Sequence, residues 1–245
     1  MIIESTSNNR IKDIRKLNEK KYRDEQSKYL VEGEHLVLEA YKSGFLEEVI
    51  LCDRDIDLDV EKLFVTESVM KTISTLPSKV DIIGICSIKE DNIDLNSNIL
   101  ILDGVQDPGN LGTIIRSAVA FNIKNIILSN DTVDLYNIKT LRSAQGMNFH
   151  LNIKRVNLEE YIPFLKENNY KIWGTDVTNG IDVKNASKEE KYAIIMGNEG
   201  NGMSENIKEL CDKFVYINMN ENCESLNVAV ATSILLYELN RGNNE

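Results

Sequence analysis

The sequence predicts an α/β protein in which a small α/β domain precedes a larger parallel sheet covered by helices on both faces. Three observations carry this. In the second part, short strands that are apolar throughout alternate with helices, the pattern of strands buried on both faces. The loops richest in glycine, asparagine and aspartate (DPGNLG, GTD, GNEGNG and NMNENCESLN) all follow predicted strands, where ligands of open parallel sheets bind. The first ninety residues hold a separate, shorter set of elements, and the polar stretch KEDNIDLNSN (89–98) reads as the linker. The expected domains are therefore 1–90 and 97–245.

The elements follow in order. A basic amphipathic helix is predicted over about 8–25, because IKDIRKL spaces its apolar residues helically. After a loop comes a helix through EGEHLVLEAYKSG, closed by Gly44. Strands are expected at EEVILC (47–52), KLFVT (62–66) and DIIGICSI (81–88), with ESVMKTIST helical between the last two. Beyond the linker, NILILDGV (98–105) is a strand and LGTIIRSAVAFN (111–122) a helix whose apolar face holds Ile114, Ile115, Ala118 and Val119. The strand NIIL (125–128), a helix around TLRSAQG (140–146) and the strand FHLNIKRV (149–156) come next. The helix LEEYIPFLKENN (158–169) precedes strands YKIWGTDV (170–177) and KYAIIMG (191–197). Last are the helix SENIKELCDK (204–213), the strand FVYINM (214–219) and the helix LNVAVATSILLYELN (226–240).

Bulk properties narrow the function classes. Hydrophobic content of 42% and charged content of 27% are those of a soluble globular protein. No apolar run approaches the ~20 residues of a membrane span, and MIIESTSNNR is not a secretory signal. Cys52, Cys86, Cys211 and Cys223 are scattered, without a C-x-x-C pair or a nearby histidine, which fits a reducing cytoplasm better than a disulfide or zinc framework. The net charge of −11 excludes a uniformly basic nucleic-acid surface, yet the charge is unevenly spread. Eight bases (Arg10, Lys12, Arg15, Lys16, Lys20, Lys21, Arg23 and Lys28) face four acids between residues 10 and 28. That segment is either a phosphate-holding surface or a solvated helix.

Each polar cluster has a structural and a functional interpretation. In DPGNLGTIIR (107–116) Asn110 sits near the N-cap position, and Arg116 lies in a segment otherwise built for burial, so it needs a partner or a ligand. GNEGNG is not a P-loop, since it lacks the G-K-[ST] ending, and it is not G-x-G-x-x-G after a first strand. Its Glu199 either pairs with Arg116 or is merely exposed. ESLN (224–227) offers Ser225 and Asn227 at the start of the last helix, with Ser225 as a possible N-cap. No metal-ligand spacing occurs, and neither histidine has a catalytic partner in sequence.

Taken together, DPGNLGTIIRSA, IIMGNEGNGMS and INMNENCESLNVAVATSILLYE resemble the three motifs of the SpoU (TrmH-like) RNA 2′-O-methyltransferases of the SPOUT superfamily. The resemblance covers about residues 97–241. NNRIKDIRKLNEKKYRDEQSKYLVEGEHLVLEA resembles the amino-terminal, L30e-like RNA-binding domain of the ribosomal-RNA members. The third motif departs from the common I-P-M-x-G, with Ile217-Asn218-Met219-Asn220-Glu221 in its place.

The resemblance implies a carboxy-terminal trefoil knot, an exception to the rule against knots, and a homodimer. It implies S-adenosylmethionine as methyl donor, held largely by main chain at Gly197, Ile217 and Leu226, with Thr175 and Met219 beside them. Arg116 is implied as the central catalytic group. Since an arginine scarcely deprotonates, its expected work is to orient a phosphate and stabilise developing alkoxide charge. Asn110, Glu199, Ser225 and Asn227 complete the constellation. Arg10, Lys12, Arg15, Lys16, Lys20, Lys21 and Arg23 are the expected RNA contacts. The implied reaction is 2′-O-methylation of a ribose in ribosomal RNA, with 23S first. Transfer RNA as substrate and a catalytically silent RNA-binding protein are the alternatives.

Overall fold

A computed structural model describes residues 2–89, 92–177, 180–186 and 191–240. In chain order the elements are β1 (Ile2–Ile3), α1 (Asn9–Lys16), α2 (Lys20–Gln26), β2 (Lys28–Glu32), α3 (Glu34–Lys42), β3 (Leu46–Leu51), β4 (Glu61–Val65), α4 (Glu67–Ile73) and β5 (Ile82–Ser87). They continue with β6 (Ile99–Leu102), α5 (Pro108–Ala120), β7 (Asn125–Ser129), α6 (Ile138–Ala144), β8 (Asn152–Val156), α7 (Leu158–Glu167) and β9 (Lys171–Thr175). The last are β10 (Ile181–Asp182), β11 (Tyr192–Met196), α8 (Glu205–Glu209), β12 (Lys213–Tyr216) and α9 (Val228–Asn240). Contacts divide the chain into two compact units, Met1–Glu90 with Asp134–Phe149, and Asp91–Val133 with His150–Glu245. The helix foreseen around TLRSAQG, α6, thus belongs to the first unit. Of the predicted linker, Glu90 and Asp91 lie outside the described residues.

The first unit is a mixed five-stranded sheet in the order β1-β4-β3-β5-β2. β1 and β3 run parallel to β4, while β5 runs antiparallel to both β3 and β2. Alternating side chains in β2 send Leu30 to a layer with Ile11, Ile14, Val69, Met70 and Ile73, and Tyr29 and Val31 to a layer with Val37, Ala40, Leu141 and Phe149. The long basic helix expected over 8–25 is two helices. Between them Glu19 is extended, with φ −103° and ψ 133°, and the Asn18 amide donates to the Ile73 carbonyl at 2.9 Å.

The second unit is a seven-stranded sheet, parallel throughout, in the order β10-β12-β9-β11-β6-β7-β8. Every residue of β6, β7 and β11 is buried, as their unbroken apolar runs demand. The strand expected at 149–156 starts later, because Met147–His150 winds into a 3₁₀ turn. α9 lies against α5, tied by Ser117 and Ser233 hydroxyls 2.7 Å apart.

Candidate active site

The loops after β6, β11 and β12 meet at the carboxyl edge of the second sheet through one hydrogen-bonded chain. Asp107, not Asn110, is the N-cap of α5. Its Oδ1 accepts the Asn110 N–H at 2.9 Å, and Pro108 follows at the first helical position. This frees the Asn110 side chain, whose amide donates to Glu199 Oε1 at 3.0 Å while its Oδ1 accepts from the Asn227 amide at 2.9 Å. A carboxylate only accepts, so Glu199 fixes which end of Asn110 faces which neighbour. Asn227 Oδ1 in turn accepts from the N–H groups of Ala229 at 2.9 Å and Val230 at 3.3 Å, so Asn227 caps α9 and the cap expected of Ser225 is not formed. Ser225 is exposed, and its hydroxyl has no partner among the described residues.

Glu199 also accepts the N–H of Gln106 on Oε2 and of Asp107 on Oε1, each at 3.1 Å. Burial would push its carboxyl up, but the Asn110 amide and these backbone donors outweigh that and hold it below the ordinary carboxylate value. The pairing of Glu199 with Arg116 considered from sequence is absent. Arg116 stands on the exposed side of α5, since Ile114, Ile115 and Ala118 take the core face. Its guanidinium has no carboxylate or hydrogen-bond partner among the described residues. The buried salt bridge that its apolar surroundings suggested is therefore not what holds it, and the charge is open to a ligand.

Asn198 shapes the loop that carries Glu199. Its Oδ1 accepts the N–H of Gly200 at 2.8 Å and of Asn201 at 3.2 Å, and its Nδ2 donates to the Gly104 carbonyl at 2.7 Å. Backbone bonds between Asn198 and Gly202 close the turn, with Gly202 at φ +69°. A Cβ on Gly197 would lie 2.2 Å from Gly202 C and Met203 N, so the glycine is demanded by the loop's own backbone folding over it. In the third motif Asn220 forms a turn. Its Oδ1 accepts the Asn222 N–H at 3.0 Å and its carbonyl accepts the Cys223 N–H at 2.9 Å.

Beside this chain is a cavity of about 450 Å³. All five expected donor-binding residues (Thr175, Gly197, Ile217, Met219 and Leu226) line it, as do Glu199 and Ser225. Asn110, Arg116 and Asn227 do not. Met196, Val228 and Leu235 supply apolar wall, and Asp176, Glu224 and Lys208 supply charge. The size suits a nucleoside-sized ligand, and apolar wall with acids nearby suits one that is partly apolar and cationic. S-adenosylmethionine has that chemistry. Sequence reasoning missed Asp107, Gln106 and Asn198. Asp107 was findable, because an Asp immediately before a helix-opening proline is itself a start signal.

The basic segment of the first unit sorts into three kinds of side chain. Arg23 is 7% exposed, and its guanidinium donates to the Leu17 carbonyl at 2.9 Å and to Asp134 at 2.5 Å. Its expected role as an RNA contact is thus corrected, since a buried, paired arginine does not reach a phosphate. Arg10 bonds Glu48 and Glu61, and Lys16, Lys20 and Lys21 pair with Asp13, Asp24 and Glu25 on the same helices. Lys12 and Arg15 are exposed on α1 and have no carboxylate partner among the described residues.

A parallel sheet with polar loops gathered at its carboxyl edge, beside a nucleoside-sized cavity, defines an α/β enzyme domain. The chain belongs to the SpoU rRNA Methylase family, whose sequence profile matches residues 97–237. Residues 8–84 match the MRM3-like substrate binding domain. The chain is similar to 23S rRNA (guanosine(2553)-2′-O)-methyltransferase RlmP of Bacillus subtilis (strain 168), with 38% identity over 243 residues, covering 97% of this chain and 98% of that protein. The crystal structure of AdoMet-bound rRNA methyltransferase from Sinorhizobium meliloti superposes with a TM-score of 0.88 at 29% identity, covering 98% of this chain and 97% of that one. The SpoU methyltransferase AviRb from Streptomyces viridochromogenes, solved with AdoMet, shares the fold with a TM-score of 0.87 at 23% identity, over 96% and 98% of the two chains.

Proposed function

We propose that this protein transfers a methyl group from S-adenosylmethionine to the 2′-hydroxyl of a ribose in ribosomal RNA, with 23S rRNA as the substrate. The observation that carries the reading is the bonded chain Asn227–Asn110–Glu199 beside a nucleoside-sized cavity. Similarity to a 23S rRNA 2′-O-methyltransferase along nearly its whole length supports it.

Thr175, Gly197, Ile217, Met219 and Leu226 hold the donor, largely through main chain. When bound, the donor supplies an already activated sulfonium methyl. The chain's own task is then to place the hydroxyl in line and manage developing charge. Arg116, without a partner among the described residues, binds the substrate phosphate and stabilises the forming alkoxide. Glu199, held ionised by the Asn110 amide and the N–H groups of Gln106 and Asp107, orients Asn110 and the loop at 106–107. As the O–CH3 bond forms and the S–CH3 bond breaks, the hydroxyl proton passes to solvent water and S-adenosylhomocysteine leaves. The Ser225 hydroxyl is available to the ribose at the cavity wall.

Lys12 and Arg15 are the leading phosphate contacts of the first unit, with Lys16, Lys20 and Lys21 beside them and Arg10 less accessible. Residues 1–90, together with the 134–149 segment that packs into the same unit, form the RNA-binding domain, and the rest of 97–245 the methyltransferase domain, in which a trefoil knot belongs to the same reading. The sheet order and the return of α9 onto α5 support the knot. The enzyme works as a homodimer in the cytoplasm. Val230 and Tyr237 on α9 are 48% and 49% exposed, and Phe121 meets Tyr237 edge-on, leaving an apolar face for a second copy. Among the described residues no helix is long and apolar enough to cross a membrane.

The test is methyl transfer from labelled S-adenosylmethionine to protein-free 23S rRNA and to tRNA, followed by mass-spectrometric mapping. One ribose-methylated nucleotide in 23S rRNA is expected. Modification of tRNA alone, or methylation on a base, overturns the reading.

A further inference from the structure

At the far side of the motif 1 loop, one arginine gathers four carbonyls. Arg155, on edge strand β8, donates through Nη1 to the carbonyls of Ser129 at 2.6 Å, Asn130 at 3.1 Å and Thr132 at 2.6 Å, and through Nη2 to that of Val133 at 2.8 Å. These carbonyls lie at the end of β7 and in the turn that follows it. The turn residues have no ladder to satisfy their acceptors, and a guanidinium is the one side chain with enough donors in a fixed plane to bind several at once.

The same turn bonds four of the residues leading into α5. The Thr132 hydroxyl donates to the Leu102 carbonyl at 3.0 Å, and Ser129 Oγ accepts the Gly104 N–H at 2.9 Å. The Val133 N–H donates to the Val105 carbonyl at 2.9 Å, and the Gln106 side-chain amide to the Asp131 carbonyl at 2.8 Å. The N–H of Gln106 then donates to Glu199, the carboxylate that holds Asn110. An unbroken series of bonds thus runs from Arg155, through the 129–133 turn and Gln106, to Glu199 and Asn110.

We infer that Arg155 is a positioning residue for methyl transfer, acting at a distance by fixing the 129–133 turn that backs the motif 1 loop. This rests on the function proposed above. Arg155 lines no part of the donor cavity. Its loss should therefore slow turnover and leave donor binding alone.

The test uses the full-length protein with Arg155→Lys, which keeps the charge but offers a point donor in place of a planar fork, and with Gln106→Ala, which cuts the link one step further along. Each variant is expected to lower kcat by about 10–100-fold, the cost of misplacing a reacting group by around an ångström. The dissociation constant for S-adenosylhomocysteine should stay within about twofold in both, because no donor contact changes. The double variant should be no slower than the slower single, since both act through one loop. Hydrogen exchange supplies a readout independent of activity, in which Arg155→Lys should expose the Thr132 and Val133 amides while β9 and β11 stay protected. If the wild type transfers no methyl group but this exchange pattern appears, the proposed reaction fails while the brace stands. Full activity in Arg155→Lys, multiplied losses in the double variant, or donor affinity falling in step with kcat would each overturn the positioning role.

Discussion

The amide of Asn227 donates to the side-chain oxygen of Asn110 across 2.9 Å of space and 117 residues of chain. Neither group needs the other for helix capping, because Asp107 caps α5 and Asn227 Oδ1 caps α9. The bond therefore serves alignment of the two helix starts with Glu199. Asn110→Ala should lower kcat by about 10–100-fold, with donor affinity unchanged within error. Asn227→Ala should also destabilise the protein, by the ~1 kcal/mol typical of a lost N-cap. Turnover assays and thermal unfolding of both variants separate the two roles, and a matching stability loss in Asn110→Ala would count against alignment.

Arg116 is exposed and without a partner among the described residues, so its removal leaves no buried charge behind. Arg116→Ala should unfold within a degree or two of wild type, using roughly 2–4 °C per kcal/mol as the scale. Its methyl transfer should fall by about 10²–10³-fold or more, the usual worth of a donor to developing negative charge. Arg116→Lys should recover little, because it loses the planar fork. Near-normal transfer by Arg116→Ala would remove it from the mechanism.

Gly197→Ala should fail in a different way. The added methyl would sit 2.2 Å from two backbone atoms that cannot swing aside, so the 198–202 loop must shift. A cost of about 1–3 kcal/mol is expected from such overpacking, together with lost donor binding measured calorimetrically. Unaltered donor affinity would show that this loop does not shape the cavity.

The basic segment divides by substitution. Removing Lys12 and Arg15 together should weaken RNA binding and make its salt dependence shallower by roughly 1.5–2 in log–log slope. Lys16, Lys20 and Lys21 should contribute less each, although exposed pairs worth only ~0–1 kcal/mol open readily. Arg23→Ala should act on stability instead. Breaking a buried pair costs about 3–5 kcal/mol, and less here because the Asp134 side chain is 18% exposed. Filter binding across a salt series and denaturant unfolding check the two halves.

Acid should loosen the site through Glu199. Its carboxyl is held below the ordinary value of 4.5, so the stabilisation it brings is complete above that pH and is lost as pH falls through the lower folded value. Subtracting a Glu199→Gln unfolding profile from that of wild type should give a difference that is flat near neutrality and closes in acid. A difference that grows as pH falls would contradict the assigned bonds.

The sheet of the second unit was legible because strands buried on both faces cannot hide, as β6, β7 and β11 show. β2 was not legible. Its run Lys28–Glu32 is bracketed by charges, and only the fold reveals that Glu32, 4% exposed, is paid by Ser74 and Thr75 donors. Motif residues could be named from sequence, yet their bonding could not. Asp107 and Asn227 compete with Asn110 and Ser225 for capping roles that are equivalent in composition, and geometry alone decides between them. Arg23 reads like its basic neighbours until Asp134, 111 residues away, is brought beside it.

The division of the chain between units bears on how the protein is made. The Tyr29 and Tyr136 rings meet tilted at 4.4 Å, and Phe45 meets Phe149 at 5.2 Å, so the first unit draws part of its core from residues synthesised long after residue 90. At roughly 5–20 residues per second the ribosome needs about 3–12 s more to deliver Phe149. During that interval the nascent sheet presents an open apolar face that only the growing chain can close. A domain swapped between relatives at one junction near residue 90 would close that face with a helix of foreign sequence, because the segment equivalent to 134–149 would come from the other parent.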